Sequence, residues 1–212
     1  MSIKNFLKRN QNYIFIFVLI LVSFSVNQYY AFVGVLPVDS FSTFNSGYDI
    51  LNGSFPFKDF WAIKGPTLDL IQAIYFKFFG ISWVSYAAHS SSFNTLFALS
   101  FFFTIKKFKL SSEYSFFYSV LASILMYPTY GIPFTDHHVS IFSILSVFSL
   151  CLAIKTGKDI YWFFIPILLF LGFFTKQTPI GYFGILISLV TLLYLIKNFR
   201  KKILVLVLLS SF

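Results

Sequence analysis

Long apolar runs alternate with short polar breaks along the chain, and run length sets the elements. The first run is 13–36, "YIFIFVLILVSFSVNQYYAFVGVL", closed by Pro37. Crossing a bilayer takes about 20 apolar residues, and the hydrocarbon leaves backbone polar groups to pair internally, so helices are predicted. A basic segment precedes this run, as in a secretory signal. The run is too long for a signal's apolar core and no small-x-small cleavage site follows it cleanly, so it is read as a retained span. Residues 38–80 then form one external loop, polar over 38–65 and apolar over 66–80. Further apolar runs cover 82–105, 114–127, 139–154, 160–175 and 179–196. The last run, 203–212, is too short to cross, and the expectation is that the chain is the N-terminal part of a longer protein.

Charge decides which runs cross. Lys4, Lys8 and Arg9 form one basic cluster, Lys106, Lys107 and Lys109 a second, and Lys155 with Lys158 a third. Lys197, Arg200, Lys201 and Lys202 form the fourth. Cytoplasmic loops carry the Lys/Arg excess, so an even number of crossings separates each pair of clusters. Only two crossings fit between the first and second, and 66–80, about 22 Å long against a core of about 30 Å, is the run that does not span. It also carries Asp69, Gln72 and Lys77. The predicted fold is therefore all-α and polytopic, with about six transmembrane helices, interfacial helices in the first external loop and a cut last helix. The N-terminus is cytoplasmic. Asp39, Asp49, Asp59, Asp69 and Asp136 fall outside, together with Lys58, Lys64 and Lys176.

Composition agrees with this reading. The chain of 212 residues is 58% hydrophobic and 11% charged, with mean hydropathy +0.80, where a soluble domain carries about 25% charged residues. A net charge of +9 could serve nucleic acid or anionic lipid, but the basic residues cluster at span ends, which makes them a topology signal and excludes a nucleic-acid face. The 32 phenylalanines read as lipid-facing filler. A single cysteine, Cys151, lies in an apolar run and allows no intrachain disulfide.

Three polar stretches can carry chemistry. In the first loop, Phe41, Phe44, Tyr48 and Leu51 form one apolar stripe, which predicts a short amphipathic interfacial helix over 40–51 stopped by Asn52-Gly53. Asp39 at its start reads as a helix cap or as a carboxylate held at membrane level beside a lipid-borne substrate. Asp49, Asp59 and Asp69 read as solvated acids, Asp59 also as a partner of Lys58 or part of the site. Phe60 and Trp61 read as interface anchors. Lys64-Gly65-Pro66 precedes a helix start, where an ammonium and free N–H groups suit a phosphate, or where the lysine simply snorkels. In the second stretch, "YGIPFTDHHVS" over 130–140, Thr135 or Asp136 can cap the following helix. His137 and His138 point in different directions on a helix, so they do not hold one zinc ion together. Asp136 with Asp39 could hold a divalent cation. The third is "FFTKQTP", 173–179, where Lys176 and Gln177 end an apolar helix on the external side; a lysine there has phosphate as its natural partner. Carboxylates and lysines thus gather on one side, which suits a substrate with a phosphate head and a lipid tail.

These residues carry a resemblance. Asp39-Ser40, then Gly-Tyr-Asp-Ile-Leu-Asn-Gly over 47–53, Pro-Phe-Lys-Asp-Phe-Trp-Ala-Ile-Lys-Gly-Pro over 56–66 and Phe-Lys-Phe-Phe-Gly over 76–80 stand in one order. This resembles the first external loop of GT-C type membrane glycosyltransferases. It is most similar to bacterial relatives of the dolichyl-phosphate-mannose protein mannosyltransferases and to the lipid A aminoarabinose transferases. "LGFFTKQTP" resembles their later Leu-Thr-Lys-Gln-Thr segment, and the likeness covers most of 30–180. Family members run to more than twice this length. The resemblance implies Asp39 as catalytic base, Lys64 as the ligand of the lipid-linked phosphate, Asp136 as the second external acid, and Lys176 as the lysine of the later segment. Three positions depart: Ser40 stands where an acid often follows, Gly65-Pro66 replaces Pro-Pro, and His89 replaces an arginine.

The expected function is transfer of a sugar, with inversion, from a polyprenyl-phosphate donor to a hydroxyl of a glycan, lipid or protein. It takes place at the external face of a bacterial inner membrane. Asp39 and Asp136 are the expected catalytic residues. Lys64, Lys176, Gln177, His137, His138 and Asp59 are expected to bind substrate, with a divalent cation at Asp39 and Asp136 if one is used. The rivals are a transporter or flippase of lipid-linked sugars, which would line a path through the midplane, and an inactive fragment.

Overall fold

The computed structural model describes residues 3–35, 39–62, 64–126, 129–198 and 202–205, without the side chains of 3–9, 39 and 129. Its described residues form helices and connecting turns: α1 (Ile3–Tyr30), α2 (Asp39–Leu51), α3 (Thr67–Phe79), α4 (Trp83–Lys107), α5 (Ser112–Leu125), α6 (Thr135–Thr156), α7 (Asp159–Phe173) and α8 (Gln177–Lys197). A single 3-10 turn, Thr129–Gly131, precedes α6. The all-α expectation holds.

Local chemistry explains most boundaries. The Ser82 and Ser111 hydroxyls accept from Ser85 N and Tyr114 N and start α4 and α5. Left-handed Gly157, φ +68°, ends α6. Gly53, φ +94°, follows α2 as predicted. The first helix differs from expectation: it ends at Tyr30, well before Pro37, which lies outside the described residues. Tertiary contacts set that end. The Asn27 amide donates to Gly131 O at 2.9 Å, and the Trp83 indole N–H donates to Ala31 O at 2.7 Å.

The helix α4 packs on α1, α3, α5 and α6, and α6 also packs on α7 and α8. The two ends of the bundle differ in charge. At one end Lys106 donates to Asn12 and Lys155 lies 4.0 Å from the Phe108 ring centre. Lys202 pairs with Asp159 at the start of α7. Basic clusters from separate parts of the sequence therefore share one end. Asp136 and Lys176 meet at the other.

Among the described residues, three helical segments are long and apolar enough to cross a membrane: Asn10–Tyr30, Thr135–Thr156 and Gln177–Lys197. The outer face of α8 exposes Tyr182, Ile185, Leu189, Leu193 and Ile196, as a lipid-facing helix does. With 25 residues α4 is long enough, but Ser90, Ser91, Ser92 and Asn94 lower its hydropathy. The helices α5 and α7 have 14 and 15 residues, about 21–22 Å at helical rise.

The helix α2 divides its apolar stripe: Phe44 and Leu51 pack against the core of Phe76, Tyr86 and Ala87, and Phe41 and Tyr48 stay on the outer face. Its buried residues are Ser40, Thr43 and Gly47, while Phe41 and Tyr48 are exposed and Phe44 and Leu51 half-buried. A Cβ on Gly47 would meet Gln72 Cγ at 2.7 Å, so α2 and α3 are in close contact. In lipid, small residues let helices approach and large apolar ones face outward, the reverse of a water-soluble helix.

Candidate functional site

Three helices begin together at the less basic end. Their N-caps are Pro66 for α3, Phe134 for α6 and Lys176 for α8, and none makes a side-chain capping bond. Three contacts hold these starts side by side. Gly65 N donates to Thr175 O at 3.3 Å and Thr67 N to Phe174 O at 3.1 Å. Lys176 Nζ meets Asp136 Oδ1 at 2.5 Å. Lys64 Nζ lies 5.7 Å from the Phe134 ring centre. A Cβ on Gly65 would fall 1.9 Å from Phe174 O, so only glycine lets this strand of backbone lie against the α7–α8 turn.

The electrostatics favour an anion. Each helix start presents N–H groups without intrahelical acceptors and the positive end of its dipole. Lys64 and Lys176 add two ammonium groups. Lys176 is shared with Asp136, and both are about half exposed, so the pair is screened and opens easily.

Under this mouth lies a buried polar seam. Asp69 and Gln72 stand on the inner face of α3, 6% and 0% exposed, while Leu70, Ile74 and Phe78 face outward. His89 Nδ1 bonds Gln72 Oε1 at 2.9 Å, and His138 Nδ1 bonds Phe134 O at 3.0 Å. The carbonyl can only accept, so His138 carries its proton on Nδ1 and an open lone pair on Nε2. The His89 and His138 rings are 4.8 Å apart, and Nε2 of each lacks a partner. Burial pushes the Asp69 carboxyl up to about 7, with Lys64 pulling it back down.

Several expectations change. Asp69, read as a solvated acid, is buried. Neither Thr135 nor Asp136 caps α6, since Phe134 holds that place and Asp136 is engaged by Lys176. Lys176 and Gln177 do not end a helix; Phe174 ends α7, and these two residues start α8. Asp59 does not pair with Lys58: its carboxylate accepts from Phe55 N at 2.7 Å and closes its own turn. Trp61 is 78% exposed, as an interface anchor would be. His137 and His138 are buried inside the bundle, not turned out to a substrate. Among the described residues no group of three or more His, Cys, Asp or Glu is placed to hold a metal. The side chain of Asp39, the expected base, lies outside the described residues.

Sequence reasoning named Gln72 only as a polar residue of the non-spanning run and His89 only as a departure from the motif, and gave neither a place in the site. A signal was available on α3, where Asp69, Gln72 and Phe76 recur at helical spacing opposite an apolar face. No family model matches this sequence, and no curated protein or solved structure matches it either.

Proposed function

We propose that this chain is part of a polytopic membrane glycosyltransferase. It moves a sugar from a polyprenyl-phosphate donor to a hydroxyl-bearing glycan, lipid or protein. The observation that carries the reading is the junction of three uncapped helix starts with Lys64 and Lys176, an arrangement suited to a phosphate head group. The motif resemblance supplies the sugar chemistry. The chain crosses a bacterial inner membrane about six times, with its basic end cytoplasmic and this mouth external.

In the reaction the acceptor oxygen attacks the anomeric carbon from the face opposite the phosphate. The bond from that carbon to the phosphate oxygen breaks, and its electron pair stays with the phosphate. Asp39 takes the hydroxyl proton. Lys64 and Lys176 stabilise the charge that develops on the phosphate, an effect of a few kcal/mol per well-placed donor. Asp136 holds Lys176 until the phosphate displaces it, and a divalent cation at Asp39 and Asp136 is compatible with these roles. The test is transfer from a radiolabelled polyprenyl-phosphate sugar by membranes carrying the protein. Lys64→Gln is expected to lower turnover about a hundredfold; unchanged turnover would remove the phosphate assignment.

A transporter of lipid-linked sugars is the second reading. Asp69 and the imidazoles of His89 and His138 inside the bundle favour it, because interior ionisable groups mark substrate and proton paths. Translocation of the donor across vesicles without sugar transfer would select it.

A further inference from the structure

Asp69 is the one buried carboxylate among the described residues. It makes no hydrogen bond and no ion pair there. A carboxylate stripped of water needs a cation, N–H donors or a proton. The titratable groups on the elements packed against α3 are Asp39, Tyr48 and Asp49 on α2 and Tyr86, His89, Lys106 and Lys107 on α4, with Tyr75 and Lys77 on α3 itself. Asp69 stands in the first turn of α3, the helix whose start lies in the mouth, and Lys64, three residues before that helix, supplies positive charge to it. Lys64 is also the lysine of the anion mouth, so one ammonium serves two anions.

An anion at Lys64 therefore strips Asp69 of its counter-charge and adds a repulsion. We propose that anion binding at Lys64 is coupled to protonation of Asp69, so that each bound anion is accompanied by a proton on that carboxyl. The proton comes from water: a hydronium ion gives its proton to the carboxylate, leaving a neutral acid and a water molecule. Asp69 is poised for this near neutral pH even before an anion arrives. The inference rests on the anion-site reading above and adds what that reading lacks, the group that compensates the incoming charge.

The test uses the full chain in detergent with inorganic sulfate, whose charge is constant between pH 6 and pH 8. Sulfate affinity of the unaltered protein is expected to rise about fivefold from pH 8 to pH 6, the effect of displacing one pKa near 7 by about one unit. Calorimetry near pH 7 in two buffers of different ionisation enthalpy should show uptake of a fraction of one proton per sulfate. Asp69→Asn should bind at the tight limit at both pH values, without proton uptake. Sulfate binding with no pH dependence and no proton uptake in the unaltered protein overturns the coupling and leaves the anion site standing. No sulfate binding at either pH overturns the anion site itself, and the coupling with it.

Discussion

Two seams of buried polar side chains run along α4, one against α1 and α5, the other against α3 and α6. In the first, the Asn27 amide donates to Ser90 Oγ, Ser91 Oγ and Gly131 O at 2.9–3.0 Å. The Asn94 amide donates to Ser23 O and Ser123 O at 3.2 and 3.1 Å. Every group in this seam is neutral, and among its described residues only Asn27 Oδ1, Asn94 Oδ1 and Ser115 Oγ lack partners. The second seam holds the buried Asp69 carboxyl and, among the described residues, two imidazoles with open Nε2 atoms and the unpaired Gln72 Nε2. Both are equally buried. The first uses polar groups as glue between helices. The second carries unmet electrostatic demand beside the end where Lys64, Lys176 and three helix starts meet, the end to which the proposed function assigns the substrate.

The largest expected effect tests that demand directly. Asp69 has an ordinary value of 3.8 and a folded value of about 7. Below pH 3.8 both states hold the proton and the group costs nothing. Between these values the folded state alone holds it, so stability falls as pH rises through 7. Asp69→Asn removes this loss, and the variant should be the more stable at pH 8 by up to ~4 kcal/mol, the difference closing toward pH 4. Thermal melts in detergent across that range measure it; parallel curves for the two proteins would erase the contrast between the seams.

Breaking the paired seam should act the other way. Asn27→Ala strands Ser90, Ser91 and Gly131 O and should destabilise by about 3 kcal/mol at every pH. Sulfate affinity per folded molecule should stay as it was. A change in affinity would show that the two seams are not separate. Gly65→Ala comes next. Its Cβ would collide with Phe174 O, so the α3 start must leave the α7–α8 turn, at about 1–3 kcal/mol. Melting temperature and sulfate affinity should fall together. The smallest effect belongs to Asp136→Asn, which frees a half-exposed Lys176. Stability should change by less than about 1 kcal/mol, and sulfate should bind about threefold tighter, read by the same titration.

Much of the helix pattern was legible from run lengths and stop residues. Gly53 follows α2 where the Asn52-Gly53 pair placed the stop, and Gly80 follows α3 at the break between the runs 66–80 and 82–105. The motif residues Lys64, Asp136 and Lys176 do come to one end, although they lie far apart in the chain. Asp69 was misread because a charge beside a loop is ordinarily solvated, and only the packing of α2 and α4 on α3 takes it out of water. Asp59 was misjudged for the opposite reason: its charge meets a backbone N–H four residues away.

By itself the sequence determined composition, helix lengths and the clustering of basic residues, because these follow from transfer of side chains and backbone between water and lipid. It also set the glycine that allows close approach at position 65. Tertiary structure alone decided which face of each helix is inward. Hydrophobic periodicity names an apolar face but not what covers it, and with lipid on one side and protein on the other the small polar face of α2 turned in. That choice buries Asp69 in the first turn of α3, within electrostatic reach of Lys64.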